Sequence, residues 1–258
     1  PYIANKIRYV SSLTAMREEL ARTLLTKVKD DYNLTVDDYT RSRSFIPGDI
    51  LSLTDYALSG DRILDSGCAS GRLYETFVQK GIDYFGVDLS EKMIERATAN
   101  HPTGRFQTAD SRFLPFTENY FDKVYSVSVI HNIPSEEFRQ QYLKELRRVL
   151  KPGGLLILRV WDFWKRRAMP QLFLDSLAQK ILGRNRTDLF DVFVPWKNSK
   201  GRVVTQRYFH CFTKRELEKI IREAGFRVEK VWCAGQDPRT NIYLIARKPS
   251  DKSPLPNG

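Results

Sequence analysis

From Arg62 onward, short apolar runs alternate with amphipathic segments of helical period, and this alternation limits the fold more than any other feature of the 258 residues. Such alternation is typical of βαβ units, whose parallel strands share one sheet. We predict an α/β fold with a seven-stranded, mostly parallel sheet, helices on both faces and a terminal β-hairpin. The predicted strands are 62–66, 84–88, 104–108, 121–129, 154–161, 226–233 and 240–247. The predicted helices are 71–80, 91–100, 135–149 and 213–224.

Two stretches lie outside this repeat. Residues 14–29 carry leucines and a valine at spacings of three and four, which predicts an amphipathic helix, and residues 30–49 are interpreted as irregular, leading into a helix over 50–58. Segment 162–211 is too long for a plain connection and is expected to carry function. We predict an N-terminal helix and lid-like extension (1–49), one domain (50–248) with insertion 162–211 on the substrate side, and a flexible tail (249–258).

The composition indicates in which compartment the protein works and what kind of partner it binds. The longest apolar run, about residues 155–160, is far shorter than a membrane span, and charges interrupt any signal-peptide core near the N-terminus. Cys68, Cys211 and Cys233 have neither CxxC spacing nor an even count, so we expect no disulfide framework, no metal site and a cytoplasmic location. The net charge of +11 favours a polyanionic partner, but charge alone leaves nucleic-acid binding open.

The segment ILDSGCASGRL (63–73) follows a predicted buried strand and opens a helix. Gly67 and Gly71 permit a tight turn beside a ligand, and Ala69 adds only a methyl group. Cys68 is expected to be a small packed residue rather than a nucleophile. A dinucleotide loop, or a plain strand-to-helix joint, would also fit this segment.

Acidic residues then follow two further strands. Asp88, with Leu89 beside it, ends the second strand about 20 residues after the loop, where an acid accepts hydrogen bonds from ribose hydroxyls. Asp110 and Ser111 follow the third strand, where they can bind an adenine amino group. A fourth strand, FDKVYSVSVIHNIP (121–134), and a helix, turn and fifth strand, LRRVLKPGGLLILRV (146–160), complete the order.

These elements resemble the Rossmann-like class I S-adenosylmethionine-dependent methyltransferases. The resemblance implies S-adenosylmethionine as the cofactor. It also implies that Asp65 and Gly67 hold the amino-acid end of the cofactor, with an arginine of the N-terminal segment at its carboxylate. Asp65 could instead be a strand-end acid satisfied by backbone amides. The implied cofactor-binding residues are Asp65, Gly67, Cys68, Ala69, Gly71, Asp88, Leu89, Asp110, Ser111 and Val129.

The sequence disfavours two of the three chemical classes of methyl acceptor. VIHNIP (129–134) stands where enzymes that methylate base amino groups have an Asn-Pro-Pro-Tyr turn. Methylation of carbon five of a pyrimidine needs a cysteine nucleophile, and Cys211 and Cys233 lack the proline that usually precedes it. A carboxylate or other oxygen acceptor remains, and a carboxylate needs orientation but no general base. Arg207 and His210 could hold it. They could instead be surface and core-edge residues of a connecting strand, which is the simpler interpretation of these two residues alone.

A closer resemblance rests on VFVPWKNSKGRVVTQRYFHCFTKREL (192–217), VIHNIPSEEFRQQYLKELRRVLKPGG (129–154) and RTNIYLIARK (239–248). These segments resemble the tRNA wobble-uridine carboxymethyl methyltransferases, that is, the yeast tRNA methyltransferase 9 family and its AlkB-fused relatives. The resemblance implies a tRNA substrate, a 5-carboxymethyluridine acceptor and a small zinc-binding activator partner. His131, Arg207 and His210 would lie by the acceptor, and Trp196 and Tyr208 beside the base.

Some roles and functions stay open at this point. Arg41 and Arg43 belong either to a lid or phosphate contact or to a solvated turn. Besides a tRNA methyltransferase, the chain could be a small-molecule or lipid-precursor O-methyltransferase whose insertion forms a substrate lid. It could also be a noncatalytic RNA-binding assembly protein with a methyltransferase fold.

Overall fold

The computed structural model describes residues 16–167, 169–198, 200–235 and 240–250. Helices α1 to α8 span Glu18–Leu34, Val36–Ser42, Gly48–Leu51, Tyr74–Gln79, Glu91–Asn100, Glu136–Val149, Met169–Ile181 and Lys214–Glu223. Short 3-10 helices cover Ser52–Tyr56, Ile130–Asn132 and Phe163–Lys165. Strands β1 to β9 span Arg62–Ser66, Asp83–Asp88, Arg105–Thr108, Phe121–Val127, Leu150–Trp161, Asp191–Lys197, Val203–His210, Arg227–Ala234 and Asn241–Arg247. The seven strands and four helices predicted in the repeat are confirmed, with ends shifted by a few residues.

The main sheet has the strand order β3-β2-β1-β4-β5-β9-β8. Strands β1 to β5 are parallel, whereas β9 pairs antiparallel with both β5 and β8. The direction of winding reverses between β1 and β4, and this reversal opens a crevice at the carboxyl ends of the strands. The predicted Rossmann-like sheet with its terminal hairpin is therefore confirmed.

Apolar side chains cover both faces of the sheet. Val124 of β4 belongs to one buried cluster and its neighbour Tyr125 to another, because successive side chains of a strand point to opposite faces. Helices α6 and α8 contribute to the first cluster, and α4 with the 3-10 helix Ser52–Tyr56 contributes to the second. The prediction of helices on both faces is confirmed.

The insertion 162–211 has structure of its own. It contains α7 and an antiparallel hairpin of β6 and β7, which form a separate two-stranded sheet. Its apolar side chains make a small third cluster that includes Phe163, Val192 and Phe209. In the hairpin register, Val194 pairs with Arg207 and Asp191 pairs with His210. The hairpin therefore carries the predicted acceptor residues out from the main sheet.

The N-terminal segment is more helical than predicted. Helix α1 continues to Leu34 and α2 follows directly, so the interpretation of residues 30–49 as irregular is wrong over its first part. The side chain of Asp31 accepts hydrogen bonds from Lys27 Nζ at 2.8 Å and from the Thr205 hydroxyl at 2.6 Å. These contacts stabilise a turn whose Asp-rich sequence alone disfavours helix. The helix predicted over 50–58 is instead α3 followed by a 3-10 helix.

Several domain predictions stay untested. Residues 1–15 and 251–258, which hold part of the predicted extension and most of the predicted tail, lie outside the described residues. A search of the described helices finds none with both the length and the apolarity needed to span a membrane.

Candidate active site

The loop between β1 and α4 borders a cavity at the carboxyl ends of the strands. Gly67 has a φ of +80°, and a Cβ at this position would lie 2.3 Å from Cγ2 of Val129. Gly71 has a φ of +77°, and a Cβ there would meet the rings of His101 and Phe106 at 3.0 Å. Both positions therefore require glycine. Gly71 fixes the loop against β3 and does not line the cavity.

Asp88 lines this cavity at the end of β2. Its Oδ2 accepts a hydrogen bond from the N–H of Ala69 at 2.9 Å, and its Oδ1 accepts one from the N–H of Ser90 at 2.9 Å. Burial raises the pKa of Asp88, while these backbone hydrogen bonds lower it. Each oxygen keeps a further acceptor position. Asp88 can therefore receive hydrogen bonds from a pair of ribose hydroxyls.

Asp65 lies at the end of β1 and is almost fully buried. The Tyr84 hydroxyl donates a hydrogen bond to Asp65 Oδ2 at 2.8 Å. Burial raises the pKa of Asp65 to about 6, against the opposing effect of this hydrogen bond. Asp65 and Cys68 line a small cavity that adjoins the loop. Burial also raises the pKa of the Cys68 thiol well above its usual value, so Cys68 fits the packing role expected of it.

Arg72 is a site residue that the sequence interpretation missed. It lines the small cavity around Asp65, and within the described ranges it has no hydrogen bond or ion pair. Burial lowers the pKa of its guanidinium group. Arg43, from the segment after α2, lines the same cavity. The position of Arg72 directly after Gly71 was the signal available in the sequence.

Asp110 and Ser111 follow β3 and line the first cavity. Arg112 holds the Asp110 carboxylate, with Nη2 2.6 Å from Oδ2, and the Ser66 hydroxyl donates to Ser111 Oγ at 3.0 Å. Asp110 therefore presents a carboxylate already oriented by a neighbouring cation. The predicted cofactor residues that line this cavity are Gly67, Ala69, Asp88, Leu89, Asp110, Ser111 and Val129.

A second cavity shares Tyr32, Tyr39, Val127 and Ser128 with the first. Its cationic lining consists of Arg43, Arg72, Arg159, Arg166 and Arg207. Arg159 pairs with Asp49 at 3.1 Å. Arg43, Arg72 and Arg207 have no carboxylate partner within the described part of the chain. The second cavity therefore suits an anionic group placed next to whatever occupies the first.

His131 lines the second cavity and is almost fully buried. Its Nδ1 accepts a hydrogen bond from the backbone N–H of Trp161 at 3.4 Å. Burial, followed by the charges of Arg159 and Arg207, lowers the pKa of His131 well below its usual value. The ring is therefore neutral at pH 7, with its proton on Nε2. In this state His131 is a hydrogen-bond donor rather than a base.

Arg207 is surrounded by aromatic rings instead of acids. Its guanidinium carbon lies 4.3 Å from the ring centroid of Trp196 and 5.0 Å from that of Phe209. The side chain is 7% exposed, and its buried Nε has no hydrogen-bond partner among the residues that the structure describes. Burial lowers the pKa of Arg207, but an arginine remains charged at neutral pH. Trp196 supports Arg207 and also faces Arg43 at 5.7 Å, without lining the cavity itself.

His210 and Tyr208 do not line the second cavity, whereas the resemblance implies that His210 lies by the acceptor and Tyr208 beside the base. His210 Nδ1 is 2.7 Å from Asp191 Oδ1, and its Nε2 is 2.8 Å from Glu216 Oε1. Tyr208 is fully buried against Phe193. The reason is the alternation of side chains along β7, which turns Tyr208 and His210 to the face opposite Arg207.

Arg41 and Arg43 also differ in placement. Arg41 is an exposed residue in the last turn of α2, lies 3.5 Å from Asp38 and lines neither cavity, so it is solvated as in the second alternative but belongs to a helix instead of a turn. Arg43 lies over the ring of Tyr39 at 4.3 Å and lines the second cavity. Of this predicted pair, the structure brings only Arg43 to the site.

Asp188, Asp191 and His210 are close enough together to be considered as metal ligands. Their oxygens are already engaged, because Asp188 accepts hydrogen bonds from Arg139 at 3.0 Å and from the N–H of Met16 at 3.1 Å, and Asp191 Oδ2 accepts one from the N–H of Asp188 at 2.8 Å. The group is therefore better described as a buried ion network that joins the hairpin to α6 and α8.

Comparisons with known proteins agree with this geometry. The family described as "Methyltransferase domain" matches residues 64–158. A methyltransferase of Encephalitozoon cuniculi is 30% identical over 176 residues, which cover 68% of this chain and 75% of that protein. A tRNA (carboxymethyluridine(34)-5-O)-methyltransferase of Schizosaccharomyces pombe is 28% identical over 205 residues, covering 72% and 80% of the two chains.

Solved structures show the same fold. A SAM-dependent methyltransferase of Methanosarcina mazei has a TM-score of 0.67 at 21% identity, covering 78% of this chain and 98% of that one. A methyltransferase in complex with the Haloferax volcanii Trm112 methyltransferase activator has a TM-score of 0.60 at 19% identity, covering 88% and 99%.

The sheet order, the loop after β1 and the acid at the end of β2 define a class I S-adenosylmethionine-dependent methyltransferase, and the relatives agree with that class. Its cofactor is S-adenosylmethionine. The chain belongs to the S-adenosylmethionine-dependent methyltransferases, and it is similar to proteins named tRNA (carboxymethyluridine(34)-5-O)-methyltransferase and probable tRNA methyltransferase 9B.

Proposed function

We propose that this enzyme transfers a methyl group to the carboxylate of 5-carboxymethyluridine at the wobble position of a tRNA anticodon. The observation that carries the proposal is the second cavity beside the cofactor cavity, where Arg207 has no carboxylate partner among the described residues. A relative named for this reaction supports the choice of substrate.

The residues of the first cavity, together with those of the small cavity around Asp65, fit S-adenosylmethionine. Asp88 would accept hydrogen bonds from the ribose hydroxyls, and Asp65 would pair with the amino group. Arg72 and Arg43, which have no carboxylate partner in the part of the chain that the structure describes, would bind the cofactor carboxylate. Asp110 would accept a hydrogen bond from the adenine amino group. When bound, the cofactor supplies a methyl group made electrophilic by its sulfonium sulfur.

The residues of the second cavity fit an acceptor that needs no base. A carboxylate is ionised and nucleophilic at neutral pH, so the enzyme only has to orient it and exclude water. Arg207 would bind the two carboxylate oxygens through its planar guanidinium fork. His131, kept neutral by burial and by neighbouring arginines, would donate from Nε2 to one oxygen. Neither group gains or loses a proton during the transfer.

The partners follow from the same proposal. A tRNA substrate accounts for the net charge of +11, because cations that contact phosphates contribute salt-dependent affinity. We also propose a small zinc-binding activator as a partner, by analogy with the Haloferax volcanii complex. A cytoplasmic location stays a prediction.

The test is methyl transfer from labelled S-adenosylmethionine into bulk tRNA, followed by digestion and nucleoside analysis, with and without the activator. The proposal predicts label in a methyl ester of carboxymethyluridine, and no label with the Asp88→Ala control. Label in another nucleoside overturns the acceptor assignment. Cofactor binding without any label in tRNA favours a small-molecule acceptor instead.

A further inference from the structure

Tyr32 stands at the boundary between the two cavities. It extends from the last turn of α1 and lines both the cofactor cavity and the arginine-rich cavity. Its ring packs edge-on against Tyr39, with ring centroids 5.7 Å apart. Neither the family resemblance nor the sequence pattern assigned Tyr32 a role.

The residues on either side of Tyr32 hold it in place. Asp31 accepts a hydrogen bond from the Thr205 hydroxyl of β7 at 2.6 Å. Asn33 Oδ1 accepts a hydrogen bond from the Ser90 hydroxyl, at the start of α5, at 2.6 Å. Tyr32 is therefore fixed between the hairpin that carries Arg207 and the strand end that carries Asp88. Such fixation is what a residue needs in order to orient a reacting group.

The Tyr32 hydroxyl lies in a cationic setting. Burial raises the pKa of Tyr32 to about 12, against the opposing charges of Arg207 and Arg43. The phenol therefore keeps its proton throughout the physiological range. Arginine has no acceptor atom, so the Tyr32 proton remains available to an anion that enters between the two side chains.

We propose that Tyr32 is an acceptor-binding residue whose hydroxyl donates a hydrogen bond to the carboxylate that Arg207 holds. This inference rests on the proposed function, because it assumes an anionic acceptor in the second cavity. The hydrogen bond fixes one carboxylate oxygen from the side of α1, while Arg207 approaches from the hairpin. The N-terminal helix thus contributes directly to acceptor recognition.

The experiment measures binding as well as activity. Anticodon stem-loops with either 5-carboxymethyluridine or uridine at the wobble position are titrated into the enzyme saturated with S-adenosylhomocysteine. The proposal predicts that the wild-type enzyme prefers the carboxylated stem-loop. It predicts that Tyr32→Phe reduces this preference by about tenfold, as expected for one lost hydrogen bond to a charged group, with unchanged affinity for S-adenosylhomocysteine. The rate of methyl transfer at saturating cofactor should fall to a similar extent between pH 6 and pH 9.

Tyr74→Phe is the matched control, since the Tyr74 hydroxyl bonds to Thr103 on the surface, away from both cavities. It should keep the full preference. If the wild-type enzyme discriminates and Tyr32→Phe discriminates equally well, the Tyr32 contact is refuted and the proposed function stands. If the wild-type enzyme shows no preference for the carboxylated stem-loop, the proposed function and the Tyr32 contact are refuted together.

Discussion

Arg207→Met tests the acceptor site because methionine keeps much of the side-chain volume and removes the charge. A hydrogen bond to a charged group contributes about 1.5–3 kcal/mol, and each 1.4 kcal/mol corresponds to a tenfold change in rate. If Arg207 holds the acceptor carboxylate, kcat/KM for the tRNA substrate should fall by at least about tenfold. Cofactor affinity should not change, because Arg207 does not line the cofactor cavity.

The same substitution should leave the fold intact. Arg207 is 7% exposed and has no carboxylate partner within the described residues, so its desolvation is not offset by an ion pair. Its contact with Trp196 at 4.3 Å contributes about 0.5–2 kcal/mol. Replacing buried charge by an apolar side chain of similar volume is often neutral or stabilising by about 1–4 kcal/mol. We therefore expect a melting temperature equal to or above that of the wild-type enzyme.

The assay combines steady-state methylation of tRNA, calorimetric titration with S-adenosylmethionine and thermal unfolding. Arg222→Met, on the exposed side of α8, is the control for losing one positive charge and should keep activity within about twofold, the change expected away from a site. Full activity in Arg207→Met would refute the assignment. A large loss of stability would refute the argument that Arg207 is retained for binding.

Three further predictions concern the cofactor site and the hairpin. Asp88→Ala should reduce S-adenosylmethionine binding below detection in calorimetry, and an unchanged affinity would exclude Asp88 from the ribose contact. Because burial raises the pKa of Asp65 to about 6, cofactor affinity should decline as the pH falls below that value and Asp65 becomes protonated. Asp65→Asn should bind the cofactor weakly at every pH. If the affinity of this variant still declines with falling pH, Asp65 is not the titrating group. Burial and Arg139 lower the pKa of His210, but hydrogen bonds to two carboxylates outweigh them and raise it. Protonated His210 should therefore stabilise the folded state fully below about pH 6.5, the pKa of histidine in the unfolded chain. This stabilisation should be lost as the pH rises through the higher pKa of His210 in the folded state. His210→Gln should therefore lower the melting temperature most at acidic pH, and His101→Gln is the control. Curves of melting temperature against pH that run parallel for the wild type and His210→Gln would contradict this prediction.

The fold was largely predictable because its signals are local. Alternating apolar runs locate the strands, and the spacing from Gly67 to Asp88 locates the cofactor crevice, since both follow from the geometry of one βαβ unit. The end of α1 was not predictable in the same way. Asp31 is favourable in a helix here only because Lys27 and Thr205 reach its carboxylate, and the contact with Thr205 is a tertiary one.

The acceptor site was predicted less accurately than the fold. Arg207 and His210 were predicted as one pair because they are close in sequence, but side chains three residues apart on a strand point to opposite faces. The alternation of side chains along the connecting strand, which was one of the alternatives for these residues, would have separated them. Tyr32 continues the stripe of Leu25 and Val28 at spacings of three and four, and both of those residues line the cofactor cavity. The stripe was visible in the sequence, but the interpretation of residues 30–49 as irregular ended it too early.

A crystal structure with bound S-adenosylhomocysteine would show whether the cofactor occupies the first cavity with its sulfur beside the arginine-rich cavity. We predict that the ribose hydroxyls lie on Asp88, that the amino group lies near Asp65, and that the sulfur faces the cavity lined by His131 and Arg207. A product placed elsewhere, or a sulfur directed away from these two side chains, would contradict the account.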